Sequence, residues 1–320
     1  MQRALGHILA VVPPGSGAVV MGTGIVSVAL SLDGREILSR VLLAGAAVLW
    51  IVLGLLLAGR ILCDRERARR ESRSPTALAG VAGTAVLGTR LVMLGWSGVA
   101  VALLLIALVF WLGLLTPVLT HWVTPTVGVS LLLAVSTESL AVLAATLGDS
   151  ERRPWLVDAA LAPFLLGLVL YLFVILRFDL GQLATGRGDH WITGGALAIS
   201  TLTAARFTLS ARSFHALGGA TGTLKVVSLV LWGLSLAWLP ALVAAEALWP
   251  RLGYDARRWS TVFPVGMYAA CSFALRDAVG VGGVGDFARA WVWLAVSIWL
   301  VVLAGITRRG ADVLRIGRAR

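Results

Sequence analysis

Ten apolar runs follow one another along the chain, at about 13–32, 38–62, 76–95, 97–117, 125–148, 155–177, 191–210, 223–249, 259–276 and 287–307. An α-helix rises 1.5 Å per residue, so about 20 apolar residues cross a hydrocarbon core roughly 30 Å thick. The pattern predicts an all-α membrane protein with ten transmembrane helices in a single domain over residues 1–320. Ser74-Pro75 and Thr124-Pro125 place a capping side chain before a proline at a first helical position, and Asp286 reads as the cap of the last span. Asp33 with Glu36 reads as a capping box. Trp96, Trp122, Trp155, Trp191, Trp249, Trp259 and Trp291 fall at span ends, where an indole ring favours the headgroup layer.

The spans are of two kinds. The odd-numbered ones are more than twice as rich in Gly, Ser and Thr as the even-numbered ones. Small residues allow close backbone approach, whereas Leu, Val and Trp suit a lipid-facing surface. The alternation predicts five helical hairpins in series, with an inner five-helix ring around a central pore and an outer five-helix layer. A solid bundle packed through small residues is the alternative. Inverted repeats fit less well, because five hairpins do not divide into two equal halves.

Composition narrows the class. Of 320 residues, 58% are hydrophobic and 13% charged, and the mean hydropathy is +0.90. A soluble domain carries about 25% charged residues, so a water-soluble globule is excluded. The net charge of +11 sits in short caps between spans rather than on one basic face, which speaks for topology and against nucleic acid. With the N-terminus inside, 17 of the 27 Lys and Arg fall on the inner side, six of them between residues 60 and 73. The positive-inside rule therefore places both termini in the cytoplasm of a plasma-membrane protein. No small-residue cleavage site follows the first apolar run, so a cleaved signal peptide is not expected. Cys63 and Cys271 have no metal-ligand spacing and read as structural thiols.

Three stretches carry a resemblance. The first span opens with PPGSGAVVMGTGIVS at 13–27, the fifth contains STESLAVLA at 136–144, and the ninth opens with RWSTVFPVGMYAA at 258–270. Together they resemble the tellurite-resistance and dicarboxylate transporter family. It takes in TehA-like bacterial proteins, fungal malic-acid permeases, sulfite-efflux pumps and plant slow anion channels. The W-x-x-x-F-P segment from Trp259 to Pro264 is the most specific part. The resemblance implies a pore through each protomer, a homotrimer, and passage of small inorganic or carboxylate anions. It also implies a pore gate at Phe263, beside Pro264. Proline removes a backbone hydrogen bond and bends a helix, which can tip the preceding ring into a lumen. Gly15, Gly22, Gly24, Gly83, Gly128 and Gly194 are the expected small pore-lining residues.

Ionisable groups inside spans cost about 2.5–3.5 kcal/mol on insertion scales, so each needs a role. Arg90, Arg206 and Arg276 fall near the outer ends of the third, seventh and ninth spans. They read as anion-attracting charges at the outer mouth, or as arginines snorkelling to the interface. Glu138, near the middle of the fifth span, reads either as a protonated coupling group or as half of a buried pair with Arg90 or Arg206. Asp158 and Glu246 suit helix-end or subunit contacts. GVGGVG at 280–285 satisfies G-x-G-x-x-G without a preceding strand and reads as a flexible turn. His7, His121, His190 and His215 form no metal-binding pair, and Gly15-Ser16-Gly17 lacks the spacing of a nucleophile elbow. No cofactor, metal or enzymatic reaction is expected. The sequence thus points to a gated anion channel, with a proton-coupled C4-dicarboxylate or sulfite transporter as the alternative.

Overall fold

The structure, a computed structural model, describes residues 14–318 apart from 252 and 254. Arg3, His7, Pro13 and Arg320 lie outside the described residues, as do the side chains of residues 310–318. The helices are α1 Gly17–Leu32, α2 Glu36–Cys63, α3 Arg65–Ser72, α4 Ala79–Val92, α5 Ser97–Thr120, α6 Leu132–Ser150 and α7 Pro154–Ile175. They continue with α8 Gln182–Thr185, α9 Ile192–Phe214, α10 Thr221–Ala237, α11 Leu239–Leu248, α12 Trp259–Val279 and α13 Gly282–Arg318. No strand occurs among the described residues, where Thr126 and Phe178 form an isolated bridge. Seven helical stretches are long and apolar enough to cross a membrane, and α1, with 16 residues, is shorter.

Five helices, α1, α4, α6, α9 and α12, pack each on the next, and α12 returns to α1, closing a ring. Each is buried along nearly its whole length; in α6 every residue from Leu132 to Gly148 is buried. Each starts with a 3₁₀ turn, at Pro14–Ser16, Pro75–Leu78, Gly128–Leu131, Asp189–Trp191 and Ala256–Arg258. The first four turns touch in series and the fourth touches α12, so the ring helices all begin at the same end. The helix after each one, α2, α5, α7, α10 and α13, packs back against it. These following helices show their apolar side chains outward, with Leu55, Val109, Val169, Val226 and Val301 exposed. The difference is large: 17–28% of their apolar windows is buried, against 78% and 94% for the stretches containing α4 and α6.

Glycines set how closely the ring helices approach. A Cβ on Gly195 would lie 2.7 Å from Cβ of Pro264, and one on Gly266 would lie 2.8 Å from Cγ2 of Ile25. The outer layer is tied to the ring by indoles. Trp50 of α2 donates to Thr84 of α4 (2.8 Å), Trp111 of α5 to Thr137 of α6 (2.9 Å), Trp232 of α10 to Ser272 of α12 (2.9 Å), and Trp299 of α13 to Thr23 of α1 (3.0 Å). Each bond runs from an outer helix to the ring helix that follows the one it packs back on. None of these four tryptophans is among the span-end set assigned above to the headgroup layer.

Several local expectations are corrected. Pro125 follows a cis peptide bond and precedes the helical turn at Gly128, so it is not a first helical residue. Asp33 ends α1, and Glu36 accepts from Ser31, Arg40 and Arg90 instead of forming a capping box. Asp286 lies inside α13, where it pairs with Arg289, because the helix already begins at Gly282 within the glycine run. Ser74 does cap its turn, accepting from the Thr76 amide. Pro240 at the start of α11 breaks the eighth apolar run into α10 and α11 at Trp238.

The indole bonds yield a direct expectation. Interhelical hydrogen bonds in membrane proteins average about 0.6 kcal/mol by double-mutant cycles. Trp232→Phe and Ser272→Ala, measured singly and together by unfolding in detergent, should show a coupling of about this size. A coupling indistinguishable from zero would mean that the bond does not hold the outer layer.

Candidate functional site at the centre of the helix ring

All five ring helices contribute side chains to one small void. It is lined by Ile25 and Val28 of α1, Val86 and Thr89 of α4, Ser139 and Val142 of α6, Ile199 and Leu202 of α9, and Met267 of α12. Its free volume is about 10 Å³, near the minimum that holds one water. The axis of the ring is therefore closed at this level by side chains. Of nine lining residues only Thr89 and Ser139 carry a polar group, and their hydroxyls donate to the carbonyls of Ala85 and Val135 on their own helices. The lining of the void is therefore mainly apolar.

Phe263 lies four residues before Met267 on α12, and residues four apart share a helix face. Its ring is fully buried. It sits one turn from the void toward the end where the ring helices begin. Pro264 lies within α12 and faces α9, where Gly195 leaves room for its ring.

The six glycines expected along the pore all sit against neighbouring segments. A Cβ on Gly22 would press on Val262, on Gly24 against Val86, on Gly83 against Val20 and the backbone of α1, and on Gly194 against Tyr268. Gly128 meets the Asp189 backbone, and Gly15 lies beside Thr76. The residues that line the constriction are larger, and seven of the nine are apolar. On four ring helices they come as pairs three apart, which is one helix face. That spacing is the available sequence signal, but these helices are apolar on all sides, so no face stands out.

The charged candidates separate. Arg90 is fully buried, with Nε donating to Ser39 Oγ (2.9 Å) and a terminal nitrogen to Glu36 (2.7 Å), so it ties α4 to α2. Arg206 lies four and seven residues beyond Leu202 and Ile199, on the same face of α9 and toward the opposite end from Phe263. Its Nε is buried without a hydrogen-bond partner. Asp149 and Asp277 are the charges that act on it, and Asp149 accepts from Ser210, one turn further along α9. Arg276 pairs with Asp277 (2.8 Å) and lies over the Phe273 ring at 5.2 Å.

Glu138 is buried and has no arginine partner. Its two oxygens accept from Ser200 (2.6 Å) and Thr203 (3.4 Å) of α9. Gly167 of α7 makes room for it, since a Cβ there would overlap the Glu138 side chain. The pairing with Arg90 or Arg206 is thus not formed: Arg90 is held by α2, and hydroxyls fill the contacts of the carboxyl. Asp158 accepts from the Leu217 amide, and Glu246 accepts from Trp191 and Arg258. Among the described residues no group of three or more His, Cys, Asp and Glu is placed to hold a metal.

The family model for the voltage-dependent anion channel (SLAC1) matches residues 11–307, nearly the whole chain and all five ring helices. The chain belongs to this family. The match agrees with the resemblance carried by the first, fifth and ninth spans. The chain is also similar to an uncharacterized membrane protein from two strains of Mycobacterium tuberculosis. Identity there is 29% over 137 residues, covering 41% of this chain and 68% of that protein. Membership of the SLAC1 family identifies a membrane protein of an anion channel and transporter family.

In this SLAC1-family chain the Arg90 contacts predict a stability role. Arg90→Gln should lower unfolding free energy by about 1.5–3 kcal/mol, the range for hydrogen bonds to charged groups. Thermal or denaturant unfolding in detergent checks this, and an unchanged midpoint would show that the Glu36 and Ser39 contacts contribute nothing.

Proposed function

We propose that the chain is a gated channel that carries small anions down their electrochemical gradient along the axis of the five-helix ring. In this reading the protein crosses the plasma membrane ten times as five hairpins, with both termini in the cytoplasm, and assembles as a homotrimer. Phe263, one turn from the constriction and backed by Pro264, is the gate. The observation that carries the reading is the convergence of all five buried helices on one void with room for about one water. Such a closed apolar neck, rather than a tight binding cage, suits conduction, which requires weak binding.

Arg90, Arg206 and Arg276 form the positive outer region, and Arg206 has the most direct part because it shares a face with the constriction. Arg90 and Arg276 act through pairs that partly neutralise them. The glycines set the radius of the ring, and the side chains at the neck set its chemistry.

Currents from purified protein in planar bilayers test the gate. Phe263→Ala removes the ring beside the neck and should raise chloride or nitrate conductance by about tenfold or more, the equivalent of lowering a barrier by roughly 1.4 kcal/mol. Arg206→Gln in that background should lower conductance most at low salt, where Debye screening is weakest. Unchanged current in Phe263→Ala would remove Phe263 from the gate.

A second reading has its own observation. Ser200 lies within reach of both the Glu138 carboxyl (2.6 Å) and its own helix carbonyl at Ala196 (3.0 Å), but a hydroxyl has one proton to give. A proton on Glu138 completes the set, which suits a group that loads and unloads protons in a coupled dicarboxylate or sulfite transporter. Malate uptake into liposomes driven by a pH gradient, abolished by Glu138→Gln with no current in either protein, would establish this reading. Uptake unaffected by that substitution would dismiss it.

A further inference from the structure

A much larger cavity than the axial void lies away from the ring axis. It is a groove of about 370 Å³ between α2 and the outer sides of α1, α4 and α5. The first turns of α2 pack firmly, with Ser39, Leu42, Leu43 and Ala46 buried, but from Ala47 to Gly59 the helix has no buried residue. It returns to the body at Arg60, which is buried and pairs with Glu71 of α3. Over these turns α2 stands off from the ring. Leu53, Leu57, Ile61 and Phe110 line the opening.

Three features fix what this groove suits. Its wall on α2 runs from Trp50 to Ile61, about 16 Å at 1.5 Å per residue, close to the depth of one leaflet of a roughly 30 Å core. Its deep end is closed by the Trp50–Thr84 hydrogen bond, so no polar group there is left facing the apolar space. Its other end is polar, formed by Arg60, Glu71 and Ser72, and beside it lies α3, whose arginines Arg65, Arg69 and Arg70 are exposed. A slot one leaflet deep, apolar along its length and basic at its rim, complements an acyl chain attached to an anionic headgroup.

We propose that this groove is a binding site for an anionic phospholipid from the leaflet on the α3 side, one acyl chain lying between α2 and α4 and the phosphate against the α3 arginines. The basic segment at 63–75 then binds lipid as well as orienting the chain. The site lies behind Val81 and Thr84 of the ring, so a bound chain supports α4 from outside.

Native mass spectrometry of the protein released from mixed phosphatidylglycerol and phosphatidylcholine tests this without reference to anion flux. At least one phosphatidylglycerol should remain bound after bulk lipid is stripped. A Cβ on Gly54 or Gly80 would meet no atom within 4 Å, so Gly54→Phe with Gly80→Leu fills the groove and should cut occupancy about tenfold. Arg69→Gln with Arg70→Gln should retain a lipid but lose the preference for phosphatidylglycerol. Unchanged occupancy in the filled variant overturns the proposal. So does retained lipid with a changed number of protomers, which assigns the groove to a second copy, or lipid that binds only after residues 2–12 are removed. If the filled variant does not fold, phosphatidylglycerol with brominated chains decides in the unaltered protein. Its quenching should saturate at low mole fraction and include a component that is lost in Trp50→Phe, because Trp50 lines the groove; identical quenching in the parent and Trp50→Phe overturns the proposal.

Discussion

The ring can hold a closed axis because its helices approach closely and something outside keeps them there. In lipid the hydrophobic effect does not drive helices together, since the tails are as apolar as leucine, so packing and interhelical hydrogen bonds must do it. Glycines at 195 and 266 allow the approach, and the four indole bonds hold an outer helix across the seam to the next ring helix. On α4 and α6 the receiving hydroxyls of Thr84 and Thr137 donate in turn to Gly80 and Leu133, so each completes its hydrogen bonding within the apolar interior. α7 takes part differently, through Tyr171 accepting from Trp238.

This construction explains how polar groups are distributed. The ring contains Ser and Thr at many buried positions, and most donate to the carbonyl one turn back on their own helix. The bundle therefore carries hydroxyl oxygens close to its axis at little desolvation cost, while the neck itself remains mainly aliphatic. The buried charges are met by specific contacts. Arg90 donates to Glu36 and Ser39 while its Nη1 has no partner, Glu138 accepts from two hydroxyls, and Arg206 keeps a buried Nε with no partner.

Outside the spans, His190 is a buried ionisable group without hydrogen bonds to its ring nitrogens. Its ring is fully buried beside Glu246, and burial together with the Arg251 cation lowers its pKa to about 4, against the pull of Glu246 and Asp189. It is neutral at pH 7, and the polar network joining the start of α9 to α11 and the start of α12 carries its positive charge on Arg251 and Arg258.

The sequence by itself determined the class of molecule, the alternation of small-residue and bulky spans, and membership of a family through Trp259 to Pro264. Each of these is a property of local composition or of a short run, and lipid enforces it residue by residue. Helix starts were less legible: Thr124-Pro125 and Asp286 have the right chemistry, but the next helical turn begins at Gly128 and the last helix already begins at Gly282. Tertiary structure alone decided the partners of Glu138 and Arg90, the role of the mid-span tryptophans, and which side chains form the neck. The physical reason is that a helix buried on every side has no polar face to mark its orientation. Rotation about its axis, and with it the identity of every contact, is set only when its neighbours pack against it.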